Sequence, residues 1–241
     1  SQMVKICSIG ESQVAEEIED LIESQTNPTI APYAKTGEVH LRITAKGKNE
    51  KECKKLIKPV VKELKARFGR NIFATEESKS LEEAVVDMLK EQEMTLSLAE
   101  SCTGGAIAAR IVNVSGASEV FLQGMVTYSN KAKRRCLDVS KSTLKKHGAV
   151  SEECAAEMAK GGRKASKTDI CLSVTGIAGP GGGTKEKPVG TVFMGCSYKG
   201  CTQVREFHFQ GNRARVREQT VAHGLAFLRD CMMERADKEN N

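Results

Sequence analysis

The sequence predicts an α/β fold: a layered α/β domain over residues 80–232, behind a small α+β domain over residues 4–75. Three observations predict it. Beyond residue 80, short apolar runs alternate with helical stretches, as strands separated by helices do in a layered sheet. Residues 4–75 instead read strand, helix, two adjoining strands and helix. Between the two parts, Thr75-Glu76-Glu77-Ser78-Lys79 is polar and poor in apolar residues, as a linker is. A length of 241 residues suits one large domain or two small ones.

In the first part, Val4-Lys5-Ile6-Cys7-Ser8-Ile9-Gly10 alternates as a short strand does. Ser12 is expected to cap a helix with Val14, Ile18, Leu21 and Ile22 on one face, stopped by Asn27-Pro28. Thr29 to Tyr33 is extended, and Pro32 predicts an edge position. Lys35-Thr36-Gly37-Glu38 reads as a hairpin turn into a strand from Val39 to Ala45. There Val39, Leu41 and Ile43 point one way and His40, Arg42 and Thr44 the other, which predicts an exposed His40. Asn49 and Glu52 have the spacing of a capping box. The helix that follows carries Cys53, Leu56, Ile57, Val60, Val61, Leu64 and Phe68 as its apolar residues; Pro59 is expected to kink it and Gly69 to end it. Lys51, Lys54, Lys55, Lys58, Lys62 and Lys65 read as its wet face. A KH-type RNA clamp needs a GxxG loop, and residues 4–75 contain none.

In the second part, Ser80 and Glu83 form another capping box, ahead of a helix with Leu81, Ala84, Val85, Met88 and Leu89 on its buried stripe. A strand over 95–99 delivers Ala99-Glu100-Ser101-Cys102-Thr103-Gly104-Gly105, and a helix is expected from Thr103 to Val112. Ser115 to Ser118 is a turn, Leu122 to Tyr128 a strand, and Ser129-Asn130 the cap of a helix bearing Lys133. Gly148 ends a short helix; Ser151 opens a longer one with Ala155, Met158 and Ala159 inward. Asp169 to Val174 is a strand that breaks at a glycine-rich stretch, Thr175 to Thr184. Strands near 189–198 and 202–209 follow, with Gly200 in their turn. Asn212 caps a last helix with Val216, Val221, Leu225 and Leu228 inward, and the charged tail from Glu234 is expected to fray.

Composition excludes some classes. The net charge of +6 divides evenly, with 13 Lys and Arg against 10 Asp and Glu in residues 1–75, so a solvated surface is expected rather than a polyanion-binding face. Aromatics are 4% and Trp is absent, a poor supply of stacking platforms for single strands; nucleic acid is not an expected partner. No apolar run approaches the roughly 18–20 residues of a membrane span, so no membrane partner is expected. The nine cysteines form no CxxC and no zinc spacing with His. Their odd number, with no secretory signal, predicts reduced thiols and a cytoplasmic protein.

Three strand ends carry polar or glycine-rich turns, at 99–105, 127–133 and 174–184. Ligands of open α/β sheets bind beyond the carboxyl ends of strands, so these turns are candidates to converge. Ser101 fits three roles: nucleophile, anion ligand at the helix start, or N-cap. Thr175 to Thr184 holds five glycines in ten residues, either a nest of N–H groups for a phosphate or a flexible loop. It matches neither the Walker A loop nor GxGxxG. Ser101, Tyr128 and Lys133 can compose a Ser-Lys-Tyr site if Lys133 loses its charge; otherwise Lys133 shares a solvated helix face with Lys131, Arg134 and Arg135. Cys102 is an alternative nucleophile or a small buried residue.

In series, Ala99 to Gly105, Thr127-Tyr128-Ser129-Asn130 with Lys133, His147-Gly148-Ala149-Val150-Ser151, and Thr175 to Pro180 leading to Lys187-Pro188-Val189-Gly190-Thr191 resemble the CinA family over about residues 80–230. Residues 4–75, with Asn27 to Tyr33 and Leu41 to Lys46, resemble the small middle domain of long CinA proteins. The resemblance implies a deamidase domain that hydrolyses nicotinamide mononucleotide to nicotinic acid mononucleotide and ammonia. It implies Ser101 as nucleophile, Tyr128 and Lys133 as its activating partners, and Thr103, Gly104, Thr175, Gly176 and Arg213 as substrate-binding residues. No cofactor and no metal are implied; the implied partners are the mononucleotide and a second copy of the chain. Two departures stand out. The molybdopterin-cofactor-binding-like domain of long CinA proteins, with its metal-dependent pyrophosphatase, has no counterpart in this sequence, and that activity is not carried over. The family's usual Asp after Gly179-Pro180 is Gly181. That departure leaves open a nucleotide-binding regulatory module, linked to competence or DNA damage, in place of an enzyme.

Overall fold

The computed structural model describes residues 1–239, the side chain of Glu239 aside. The chain divides into two compact units, Ser1–Ala84 and Val85–Asn241. The elements below are those of the described residues.

The first unit runs β1 (Gln2–Cys7), α1 (Glu11–Glu17), α2 (Glu19–Ser24), β2 (Thr29–Lys35), β3 (Glu38–Thr44), α3 (Glu50–Phe68) and β4 (Ile72–Ala74). Its strands form one antiparallel sheet in the order β2-β3-β1-β4, with Ile6 opposite Val39 and Val4 opposite Leu41. These apolar residues pack against Val14, Ile18, Ile57, Leu64 and Phe68 of the helices. Pro32 lies on the edge strand, as expected. Three local expectations change. Ser12 is not a cap: Gly10 holds that position without a side-chain bond, and the predicted helix breaks at Ile18 into α1 and α2. His40 is buried, its Nε2 2.8 Å from Glu38 Oε2 and its ring edge-on to Phe73. The reason is non-local. Lys5 Nζ donates to the carbonyls of Glu77 (2.7 Å) and Lys79 (2.8 Å), so the segment after β4 covers a sheet face that alternation reads as wet.

In the second unit, α4 (Leu81–Glu91), which starts just before it, leads to β5 (Leu96–Glu100), α5 (Ala106–Val112), β6 (Phe121–Val126), α6 (Asn130–Leu137), α7 (Lys141–Lys146) and α8 (Glu152–Ser166). β7 (Ile170–Gly176), β8 (Thr191–Tyr198), β9 (Cys201–His208) and α9 (Arg213–Glu239) complete it. The sheet order is β6-β5-β7-β8-β9. β5 is parallel to β6 and β7, whereas β8 runs antiparallel to β7 and β9 antiparallel to β8. Strand alternation gives each face its own helices: on β7, Ser173 Oγ donates to Ala155 O of α8 at 2.6 Å, while Leu172 faces Gly224 of α9. Ser80 and Glu83 make the full capping box (3.2 and 2.6 Å). α9 remains helical past Glu234, where fraying was expected; residues 240 and 241 lie outside the described residues. None of the described helices is long and apolar enough to cross a membrane.

Candidate active site

The site begins where β5 ends. Ser101 N donates to Val174 O at 3.0 Å, carrying the ladder one residue past Glu100. The chain then turns through Gly104 (φ +63°) and Gly105 (φ +95°), left-handed backbone that glycine adopts without strain. α5 therefore starts at Ala106 rather than Thr103, and Ser101 is not its cap. The unpaired N–H groups expected to favour a ligand anion already have one. The buried carboxylate of Glu100 accepts from Gly105 N (3.0 Å), Ile107 N (3.1 Å) and Ala108 N (2.8 Å). From α9, Arg217 ties down the outer side of the turn, with Nε on Cys102 O (3.1 Å) and Nη2 on Thr103 O (2.8 Å).

Lys133 meets Ser101 from the first turn of α6. Ser129 caps that helix by accepting from Ala132 N at 3.1 Å. Lys131, Arg134 and Arg135 are exposed, but Lys133 turns inward and is 1% exposed. Its Nζ lies 2.9 Å from Ser101 Oγ and donates to Thr127 O at 2.8 Å. Burial pushes its pKa below the ordinary 10.5. The groups that oppose this shift are the Cys154 and Cys102 thiols, not a carboxylate. Burial pushes both thiols up to about 11, so at neutral pH Cys102 is a protonated, weak nucleophile.

A cavity of about 230 Å³ opens over this pair, lined also by Tyr128, Thr175, Gly176 and Arg213. The three strand-end turns thus converge. Their side chains do different things, however. The Tyr128 hydroxyl accepts from Arg213 Nη2 at 2.9 Å, and Arg213 Nη1 donates to Gly179 O at 2.8 Å; the phenol pairs with the arginine rather than with Ser101. Thr175 Oγ1 donates to Ala149 O at 2.7 Å, which occupies its proton. Gly176 is required by its neighbours, since a Cβ there would lie 2.6 Å from Val192 Cγ2. Thr103 is fully buried and Gly104 sits on the outer shoulder of the turn; neither lines the cavity. Lys187 braces the glycine-rich loop by donating to His147 O (2.9 Å) and Val150 O (2.6 Å). Sequence reading missed Glu100, Arg217 and Lys187. Arg217 had a signal, four residues after Arg213 on the same helix face. Among the described residues, no group of three or more His, Cys, Asp or Glu is placed to hold a metal.

Comparison with known proteins agrees with these motifs. The CinA C-terminal domain profile matches residues 78–232, and that of the damage-inducible protein CinA KH domain matches residues 1–74. The second match carries the KH name although α1 and α2 meet at Ile18 with no GxxG loop between them. The chain is 50% identical over 238 residues to a putative competence-damage inducible protein of Clostridium novyi, covering 99% of this chain and 57% of that protein. A Clostridium beijerinckii protein of the same name is 53% identical over 234 residues, covering 97% and 57%. The chain therefore spans little more than half the length of these relatives. Among solved structures, the competence/damage inducible protein CihA of Agrobacterium tumefaciens matches at a TM-score of 0.60 and 39% identity, over 61% of this chain and 91% of that one. A CinA superfamily protein of Klebsiella pneumoniae matches at 0.62 and 34%, over 64% and 96%. With both profiles in chain order and half the residues shared with its relatives, the chain belongs to the CinA family.

Proposed function

We propose that the second unit hydrolyses the carboxamide of nicotinamide mononucleotide, releasing nicotinic acid mononucleotide and ammonia, with Ser101 as nucleophile and Lys133 as its base. One observation carries this reading: a buried lysine nitrogen 2.9 Å from a serine oxygen, with no carboxylate to hold it charged. Neutral Lys133 takes the proton as Ser101 Oγ attacks the carboxamide carbon. The tetrahedral intermediate collapses by breaking the C–N bond, and Lys133 returns the proton to the nitrogen, which leaves as ammonia. The acyl group is then an ester on Ser101. Water, deprotonated by the same lysine, attacks that ester; Ser101 leaves with the proton and the acid is released. Arg213 beside Tyr128 at the cavity supplies a guanidinium fork suited to the substrate phosphate. No cofactor enters the scheme. A homodimer and a cytoplasmic setting belong to the same proposal.

The test follows ammonia and nicotinic acid mononucleotide from purified protein given nicotinamide mononucleotide and a chelator. Turnover is expected to fall by at least about 1000-fold in Ser101→Ala, the scale of losing a nucleophile. It is expected to persist in Cys102→Ala. The reverse pattern would make Cys102 the nucleophile. Binding by calorimetry without turnover would favour the regulatory module instead. Gly181→Asp is then the first change to make, because a Cβ at Gly181 meets no atom within 4 Å.

A further inference from the structure

At the other end of the second unit's sheet lies a second cavity, of about 350 Å³, between α8 and the β8–β9 hairpin. Register places it. Tyr198 pairs with Ile170 at the start of β7, whereas Thr175 of the candidate active site lies five residues further along that strand, about 17 Å at strand spacing. Lys160 and Arg163 line it with the hydroxyl-bearing residues Ser197, Tyr198 and Thr202, and no carboxylate is among its walls. Neither cation makes an ion pair among the described residues, and the buried Nε of Arg163 has no hydrogen-bond partner. Ser197, 2% exposed, accepts from Thr202 Oγ1 at 3.1 Å and has no acceptor for its own proton among the described residues. By contrast, Lys133, Lys187 and Arg217 of this unit each hold two oxygen partners. Here two cations and a buried hydroxyl proton are unspent around one space.

We infer that this cavity binds a phosphate group, free or as a monoester, through Arg163, Lys160 and the Ser197 hydroxyl. A tetrahedral oxyanion supplies acceptors to a guanidinium, an ammonium and a hydroxyl together, which water alone does with less charge balance. The cavity exceeds the volume of the anion, leaving room for the rest of a monoester. This site is separate from Arg213 and does not depend on the proposed deamidation.

Calorimetric titration of the full chain tests it, with inorganic phosphate, ribose 5-phosphate and acetate as probes. Arg213→Gln is the background, so that anion bound near Ser101 does not contribute. The expected result is binding of inorganic phosphate or ribose 5-phosphate, weakened at least about tenfold by Arg163→Gln and by Lys160→Gln. Tighter binding of ribose 5-phosphate identifies a monoester as the ligand; equal binding identifies the free anion. Lys160 is exposed, so its variant decides the matter even if Arg163→Gln disturbs α8. The inference is overturned if neither phosphate probe binds, if acetate binds as well as they do, or if Lys160→Gln binds like the background protein.

Discussion

Lys133 brings its nitrogen to a place where an ammonium has no counter-charge, and this makes the stability of the second unit depend on pH. Its folded pKa is lowered by burial, while the unfolded chain keeps the ordinary 10.5. Between those two values the unfolded chain holds a proton that the folded protein lacks. Stability therefore rises with pH across that window and is lost as pH falls through the lowered value. Lys133→Met removes this dependence. Urea unfolding from about pH 7 to pH 10 is expected to show the wild type gaining on the variant, by about 1.4 kcal/mol per unit of lowering. A difference that does not change with pH would mean the lysine is not held neutral. Turnover is expected to rise through the same window, since neutral lysine is the base. The sequence named Lys133 and Ser101 together, but its composition alone favoured the solvated face of α6. What separates the readings is a single inward rotamer, visible only once Thr127 O offers Nζ a second partner.

At the scale of the element, α5 shows a helix start satisfied from within. Three N–H groups depend on Glu100, and Glu100→Ala leaves them without their acceptor in a buried setting. A loss of about 3 kcal/mol or more is expected by urea unfolding, with a smaller loss in Glu100→Gln, which keeps one oxygen. A neutral effect of Glu100→Ala would show that water replaces the carboxylate. The strand and turn at Ala99 to Gly105 were legible; this use of Glu100 was not. Period-two alternation does place Glu100 on the same face as Leu96 and Leu98, opposite Ala99, which packs toward α8. A charge on a buried face was the signal, and it reads as noise until the helix that needs it is located.

For the molecule as a whole, the solved relatives bear on how far the second unit stands alone. Matches over 61–64% of this chain account for 91–96% of those proteins. Residues 78–241, which retain the Ser80–Glu83 capping box, are expected to fold alone and keep turnover within about twofold. A fragment that is unfolded or inactive would show that the first unit is needed. The succession of strands and helices along the chain and the helix faces were legible because local periodicity carries them; the order of strands within each sheet was not. His40 and the break at Ile18 were not, since His40 is buried by residues more than thirty positions later and Ile18 joins two short helices within one apolar stripe. The Lys187 brace has a consequence for recognition. Five glycines in ten residues make the segment whose freezing costs most conformational entropy. Lys187, three residues beyond it, is pinned to His147 O and Val150 O, so part of that ordering is met by folding. That share of the ordering cost falls on folding rather than on the affinity for an incoming molecule.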